Sequence, residues 1–69
     1  MKEINKIIRK AQKGDEEAQC ILGDCYYEGK EFEQDFSAAV KWYYKAAKQG
    51  NQLAKDRLAL TRSLALREE

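Results

Sequence analysis

Residues 35–50 read DFSAAVKWYYKAAKQG, and this stretch decides the fold class of the chain. Asp35 is suited to cap the free backbone amides at the start of a helix, and Gly50 is suited to the left-handed conformation that often ends one. The stretch therefore predicts an amphipathic helix over residues 36–49. The residues that share its broad apolar face are Phe36, Ala39, Val40, Tyr43, Ala46 and Ala47.

The composition of the whole chain supports the same class. The 69 residues include no Pro and only four Gly, while residues with high helix propensity are abundant. No segment alternates between apolar and polar residues with the period of two that indicates a half-buried strand. Since a chain of this length forms one small domain, the sequence predicts a single all-α domain over residues 1–69.

Three further helices are expected around this stretch. Helix 1 is predicted over residues 2–13 and helix 4 over residues 52–67, with Asn51 as the cap of helix 4. Helix 1 has one apolar stripe at helical spacing, formed by Ile4, Ile7, Ile8 and Ala11. Helix 4 is apolar over more of its circumference, with Leu53, Leu60 and Leu64 in one row and Ala54, Leu58, Thr61 and Ala65 in another.

Helix 2 is predicted over residues 16–27, with Asp15 as its cap and Gly29 at its end. Gly23 lies in the interior of this helix, where glycine costs about 1 kcal/mol relative to alanine. We therefore expect a neighbouring helix to approach closely at Gly23. In the loop that follows, Phe32 is the one apolar residue and is expected to fold back between the helices.

The chain matches itself when it is shifted by thirty-six positions. The matching positions belong to the apolar stripes and the helix ends, where a structural repeat must agree. A period of this length with two helices per unit is typical of an α-solenoid. The pairs include Ala11 with Ala47, Gly14 with Gly50, Ala18 with Ala54, Leu22 with Leu58, and Ile7 with Tyr43.

Residues 11–58 resemble the Sel1-like repeat family, which is related to the tetratricopeptide repeats. The chain departs from the family pattern at Glu31, where a second loop glycine is usual, and at Phe32, where valine is usual. It also loses the pattern after Leu58. The positions that carry the resemblance are Ala11, Gly14, Ala18, Leu22, Gly23, Tyr26, Gly29, Asp35, Ala39, Trp42, Tyr43, Ala46, Ala47 and Gly50.

The resemblance implies four antiparallel helices, with one complete repeat over residues 15–50 between capping helices over residues 2–13 and 52–67. Under the thirty-six-residue period, Trp42 and Tyr43 are interpreted as packing residues of the repeat rather than as a ligand site. Tyr26 is interpreted in the same way, whereas Tyr44 lies off the main apolar stripe.

The sequence contains little that could carry out chemistry. It has no His, no glycine-rich phosphate loop and no nucleophile paired with a base, so we expect neither an enzyme nor a cofactor. Cys20 and Cys25 lie about 7.5 Å apart along a helix axis, which is too far for a disulfide within that helix. With no His and no further Cys, a metal site is not expected either.

The function expected from the resemblance is protein–protein interaction, with the chain acting as an adaptor or a small regulator. In this type of solenoid the first helix of each repeat lines the concave side, which here means helices 2 and 4. An extended or helical peptide with a basic and an apolar anchor would suit this surface. The expected contact residues are Glu17, Cys20, Asp24, Tyr27 and Glu28 on helix 2 and Leu53, Asp56, Leu60 and Leu64 on helix 4.

The charges are unevenly distributed although the net charge is only +1. Residues 15–35 contain eight acidic residues and a single basic one, Lys30. Helix 1 contains five basic residues against the single acidic Glu3, and helix 3 contains three lysines and no acidic residue. We therefore predict an acidic inner side and a basic outer side. The alternative is that the opposite charges serve only solubility and the packing of neighbouring helices.

Other interpretations remain open at this point. The chain could be a piece of a longer solenoid, or a homodimer through the row of Leu53, Leu60 and Leu64 on helix 4. Contact with a nucleic acid or an anionic membrane would use Lys6, Arg9, Lys10, Lys41 and Lys45, but the near-neutral total and the acidic face argue against it.

Location is inferred from the lack of a hydrophobic segment. No stretch approaches the 18–20 apolar residues of a membrane span, and residues 1–10 contain no uninterrupted apolar core of a signal peptide. The expected location is therefore cytoplasmic.

Overall fold

A computed structural model describes residues 3–66 and shows four α-helices. They are α1 (Glu3–Gln12), α2 (Glu16–Glu28), α3 (Phe36–Lys48) and α4 (Gln52–Leu66), and the described part of the chain contains no strand. The all-α prediction is confirmed. Wherever both are described, the predicted helix starts agree with the observed ones and the predicted ends differ by one residue. The predicted helix ends at Lys2 and Arg67 lie outside the described residues.

The helices are antiparallel and form a slab in which chain neighbours pack together. α3 packs against both α2 and α4, α1 packs against α2, and α2 and α4 meet over a smaller contact. The Cα atoms extend over 34 × 27 × 14 Å. One broad surface of the slab therefore exposes the seam between α2 and α4.

Three side-chain caps begin helices as predicted. Asp15 accepts a hydrogen bond from the backbone N–H of Ala18 at 3.0 Å, and Asp35 accepts one from Ala38 at 3.1 Å. Asn51 accepts one from Ala54 at 2.8 Å. Each cap satisfies an amide that has no partner within its helix, which contributes about 1 kcal/mol.

The core consists of two clusters built largely from small residues. In the first, Tyr43 is 1% exposed and fills the space among α2, α3 and α4, together with Cys20, Ala39, Ala46, Ala47 and Ala54. In the second, α1 packs on α2 around Ala11, Ala18 and Leu22. Tyr26 and Trp42 are partly buried against these clusters, which agrees with their interpretation as packing residues.

Gly23 is the point at which α3 approaches α2 most closely. A Cβ atom added at Gly23 would lie 2.6 Å from both Cδ1 and Cε1 of the Tyr43 ring. Real Cβ atoms do not come this close to another carbon. The Tyr43 ring can therefore occupy this place only because residue 23 has no side chain. The predicted close approach is confirmed, and the ring of Tyr43 accounts for it.

A pair of glutamines connects the turn after α1 to the end of α3. Gln19 is 5% exposed, and its Nε2 donates to the carbonyl of Ala11 at 3.1 Å. The Nε2 of Gln49 donates to Gln19 Oε1 at 3.0 Å and to the carbonyl of Gly14 at 2.8 Å. The buried amide of Gln19 therefore has its hydrogen-bond partners. The same bonds connect the end of α3 to the turn between α1 and α2.

The loop between α2 and α3 is held by hydrogen bonds and by an aromatic stack. Phe32 lies on the ring of Tyr26 with a centroid distance of 4.4 Å and an interplanar angle of 11°, so its predicted return to the helices is confirmed. The backbone N–H of Asp35 donates to the carbonyl of Tyr26 at 2.9 Å. Gly29 has φ 75° and Glu31 has φ 71°, both in the left-handed region.

Replacing Glu31 by glycine is expected to stabilise the chain by about 0.5–1 kcal/mol. The left-handed conformation costs a residue with a Cβ atom about 1–2 kcal/mol, and glycine removes this cost. Glycine also has more freedom in the unfolded chain, which offsets about 0.4–1 kcal/mol of the stabilisation. Urea unfolding followed by circular dichroism measures the difference.

The matched control is Gly29→Ala at the neighbouring left-handed position. There the added Cβ atom would also lie 3.3 Å from Cβ of Gln34, so this variant is expected to lose stability. A Glu31→Gly variant that is no more stable than the wild type would contradict the strained conformation at this position.

Candidate functional site

The candidate site is a groove between α2 and α4, formed by two adjoining cavities. The larger cavity, of about 340 Å³, and the smaller, of about 210 Å³, share Tyr27 and Leu60. We call this site the α2–α4 groove. Its other lining residues are Asp24, Glu28, Tyr43, Arg57 and Thr61 in the smaller cavity and Ala59, Ser63 and Leu64 in the larger one.

A polar network lies at the bottom of the groove and joins three helices. The Tyr43 hydroxyl on α3 donates to Oδ1 of Asp24 on α2, and Arg57 on α4 donates from Nη1 to Oδ2 of the same carboxylate. The side chains of Arg57 and Asp24 are 38% and 32% exposed. An ion pair with this much access to water contributes little to stability, but it fixes the positions of both charged groups.

Burial and the carboxylate alter the acidity of nearby groups. Desolvation, followed by the hydrogen bond to Asp24, raises the pKa of Tyr43 far above its ordinary value. Desolvation also raises the pKa of Cys20, with a further contribution from the charge of Asp24. Both groups therefore remain protonated and neutral at physiological pH.

Stability is expected to fall as the pH rises above about 10, the ordinary pKa of tyrosine. An unfolded chain loses the Tyr43 proton in this range while the folded chain keeps it, so the unfolded state binds fewer protons and is favoured. The contribution is fully present below pH 10 and decreases by about 1.4 kcal/mol per pH unit above it.

Urea unfolding of the wild type and of Tyr43→Phe across this range isolates the effect. The phenylalanine variant should show a shallower decline, and Tyr44→Phe, at an exposed ring, should retain the wild-type slope. Equal slopes for the wild type and Tyr43→Phe would exclude this titration.

The structure brings together five of the nine residues predicted as partner contacts. Asp24, Tyr27 and Glu28 line the groove from α2, and Leu60 and Leu64 line it from α4. The acidic wall and the apolar wall therefore face each other across one depression. This arrangement refines the prediction of an acidic inner side, since the acidic character belongs to α2 alone.

The other four predicted contact residues lie elsewhere. Cys20 is 4% exposed within the core, so its prediction as a partner contact is wrong because no partner can reach the thiol. Glu17 is exposed but lines a different groove, between α1 and α2. Leu53 and Asp56 are exposed on α4 outside the groove, and Asp56 accepts a hydrogen bond from Gln52 at 3.2 Å.

Five lining residues of the groove were missed by sequence reasoning, namely Tyr43 with its hydroxyl, Arg57, Ala59, Thr61 and Ser63. A signal for Arg57 was present, because it stands between Leu53 and Leu60 at helical spacing in the predicted row. No such signal marked Thr61, whose side chain is fully buried and donates to the carbonyl of Arg57 at 2.7 Å. Because its hydroxyl is satisfied by this bond within the helix, Thr61 can lie fully buried at the bottom of the groove.

Within residues 3–66, no group of three or more His, Cys, Asp or Glu side chains is arranged to hold a metal ion. Among the same residues, no helix combines the length and the apolar character needed to cross a bilayer.

A stack of antiparallel helix pairs with a groove along one surface is the form of an α-helical repeat protein. The sequence model of the Sel1 repeat matches residues 16–51, which is more than half of the chain. The chain therefore belongs to the Sel1 repeat family, and the resemblance is confirmed. Searches among curated proteins and among solved structures found no significant match. Sel1 repeats generally mediate protein–protein interactions and are not catalytic.

Proposed function

We propose that this chain is a protein-interaction module whose α2–α4 groove binds a segment of a partner protein. The partner segment is expected to carry a Lys or Arg anchor beside apolar side chains, and the chain would act as an adaptor or small regulator. The observation that carries the proposal is the pairing of two unlike walls in one groove, with Asp24 and Glu28 on one side and Leu60 and Leu64 on the other.

The acidic wall supports a basic anchor. Asp24 already has Arg57 as its partner, whereas Glu28 is exposed and has no ion-pair partner within the described part of the chain. A cation from a bound segment can therefore pair with Glu28 at the edge of the groove and extend towards Asp24. Such a charge contact favours rapid association and selection of the partner.

The apolar wall supports the other half of the interface. Leu60 is 67% exposed, so covering it would remove a large apolar side chain from water, which contributes about 1–2 kcal/mol. Tyr27 is half-buried, and its ring packs on Phe36 with a centroid distance of 5.4 Å. A rigid aromatic ring at the junction of the two cavities is the kind of residue that anchors interfaces.

Selection from a random peptide library on the immobilised chain tests the proposal. Enriched peptides should combine Lys or Arg with Leu, Ile or Phe at a spacing that spans the groove. Their affinity should fall about tenfold or more for Glu28→Lys and for Leu60→Asp, since each change removes one of the two expected anchors and a tenfold loss corresponds to about 1.4 kcal/mol.

The chain offers a matched control for each change. Glu33→Lys makes the same charge reversal, and Leu53→Asp makes the same apolar-to-acid change, both at exposed positions outside the groove. These controls should bind as the wild type does. Peptides that bind all four variants equally would remove the α2–α4 groove from consideration.

The surface of α4 gives little support to the alternative that this chain is a piece of a longer solenoid. In α2, the residues that pack towards α3 include the buried Gln19, Cys20 and Gly23. Thirty-six positions later, α4 has exposed Lys55, Asp56 and Ala59. A further helix placed on α4 as α3 is placed on α2 would cover two charged side chains, which is costly.

A homodimer through α4 has its support in Leu53 and Leu60, which are 53% and 67% exposed. It would compete with a partner segment for Leu60. A measurement of mass in solution separates this possibility from the groove function, and Leu53→Lys is its diagnostic variant.

A further inference from the structure

We propose that the outer surface of α1 and α3 binds an anionic membrane, on which the chain lies flat without entering the bilayer. Six basic side chains form this surface, and we call it the basic face. Lys10 is not among them, because it lines a cavity with Asp15 and Glu17. The proposal goes beyond the α2–α4 groove and does not depend on it. The members of the basic face are Lys6, Arg9 and Lys13 on α1 and the turn after it, and Lys41, Lys45 and Lys48 on α3.

The packing of the helices places α1 and α3 on the same side of the slab. α3 packs on both α2 and α4, and α1 packs on α2. The ends of α1 and α3 also meet, since Gln49 donates to the carbonyl of Gly14 at 2.8 Å. Residues on the side of α1 or α3 opposite its buried residues therefore point out of the slab.

The six cations form two rows on this outward side, with one cation for each helical turn. Positions 6, 9 and 13 and positions 41, 45 and 48 are three or four residues apart, which places each set on one side of its helix. All six side chains are exposed, and none of them takes part in an ion pair within residues 3–66. A surface of one sign of charge attracts a partner of the opposite sign.

The acidic side chains nearest to the basic face do not balance it. Glu3 and Glu31 line the cavity between α1 and α2 together with Lys30. Asp35 caps α3, and Glu33 lies in the loop before it. When these four acids and Lys30 are counted with the basic face, seven cations stand against four acids, which leaves a net charge of +3.

The near-neutral total charge of the chain does not cancel this attraction. Asp24 and Glu28 line the α2–α4 groove, on the other side of a slab whose Cα atoms span 14 Å in the thinnest direction. At physiological ionic strength the field of an exposed charge decays over about 8 Å. An anionic surface in contact with the basic face is therefore affected mainly by the cations.

The shape and composition of the basic face favour a membrane over other anionic partners. Two parallel helices spread the cations over a plane, as the headgroups of a bilayer are spread. A protein interface has an apolar centre, but among the large exposed apolar side chains of the described residues only Tyr44 belongs to α1 or α3.

The aromatic rings of α3 are not available for stacking with the bases of a single-stranded nucleic acid, which requires free ring faces. The Nζ atom of Lys48 lies 5.5 Å from the centre of the Tyr44 ring, and that of Lys45 lies 5.2 Å from the centre of the Trp42 ring. Trp42 is also packed against the second core cluster.

Vesicle binding tests the proposal, with energy transfer from Trp42 to a dansyl-labelled lipid as the signal. Trp42 is the only tryptophan of the chain, so the signal has a single donor. The wild type should bind vesicles of phosphatidylcholine with about one third phosphatidylserine, and should not bind phosphatidylcholine alone. The binding should weaken about tenfold or more at about 1 M salt, where charges are screened within about 3 Å.

Charge reversal locates the binding surface. The double variant Lys6→Glu with Lys41→Glu should bind about twentyfold or more weakly, because each basic side chain near an anionic membrane contributes about fivefold. Lys55→Glu with Arg62→Glu makes the same change in net charge at exposed positions of α4 and should bind as the wild type does. Circular dichroism should show that both variants fold, since all four side chains are exposed and outside the one ion pair of the described residues.

Three results would overturn the proposal. A wild type that does not bind the phosphatidylserine vesicles even at low salt would exclude the membrane. Equal losses in the two double variants would show that net charge, and not the basic face, drives the binding. Tighter binding to a DNA duplex or to polyglutamate than to the vesicles, lost in Lys6→Glu with Lys41→Glu, would assign the basic face to a nucleic acid or to an acidic protein instead.

Discussion

Replacing Tyr43 by alanine is expected to lower the free energy of unfolding by about 3–5 kcal/mol. The ring is 1% exposed and is the largest fully buried side chain in the described chain. It is packed against Gly23, Cys20 and Ala46 at the junction of three helices, so its removal leaves a cavity that the small neighbours cannot fill. The whole stability of a domain of this length is about 3–10 kcal/mol.

The expected observation is therefore a large loss of helical circular dichroism at room temperature, or a urea midpoint close to zero. Tyr43→Phe is the control that keeps the ring and removes the hydroxyl. It should cost only about 1 kcal/mol, since Asp24 still has Arg57 as a partner. A Tyr43→Ala variant as stable as Tyr43→Phe would contradict the ring's place at the centre of the core.

Replacing Gly23 by alanine is expected to destabilise the chain by about 1–3 kcal/mol, although alanine has the higher helix propensity by about 1 kcal/mol. The added Cβ atom would lie 2.6 Å from two carbons of the Tyr43 ring. The ring is almost fully buried and its hydroxyl is bonded to Asp24, so it can move only at the cost of that packing and hydrogen bond, or α2 and α3 must separate. Urea unfolding measures the loss.

A double-mutant cycle shows whether the ring is the cause. In a Tyr43→Leu background the side chain at position 43 is shorter, so Gly23→Ala should be neutral or stabilising there. The loss of stability caused by Gly23→Ala should thus disappear, or become a gain, in the Tyr43→Leu background. An equal loss in both backgrounds would show that something other than the Tyr43 ring requires the glycine.

The elements of this fold could be predicted because their signals are local. Asp15, Asp35 and Asn51 stand three residues before the amide that each one caps, and a helix start depends on little else. The thirty-six-residue period showed that α1 and α3 are equivalent helices, as are α2 and α4. It could do so because the positions that match under this shift are those that pack in the core or end a helix. The requirement for glycine at position 23 was also readable, although its cause, the ring of Tyr43, was not.

The candidate site could be predicted only in part. Helical spacing showed which residues share a face, and five of the predicted residues, Asp24, Tyr27, Glu28, Leu60 and Leu64, do line one groove. Spacing does not show which neighbouring helix covers a face. Cys20 lies on the predicted face of α2 but is buried in the core around Tyr43. Glu17 lies on the same helix but lines the cavity between α1 and α2.

The sequence by itself determined the all-α class, the caps, the repeat period and the family of this chain, because each depends on residues close together in the chain or on a regular spacing. Only the tertiary structure decided that Arg57 bonds Asp24, that Gln49 joins Gln19, and that the acidic and apolar walls meet in one groove. These hydrogen bonds join residues about thirty positions apart, and they connect α2 to α4 or to the residue that follows α3. They follow from how the helices pack, since side chains so distant along the chain meet only when the core fixes the separation and rotation of each helix.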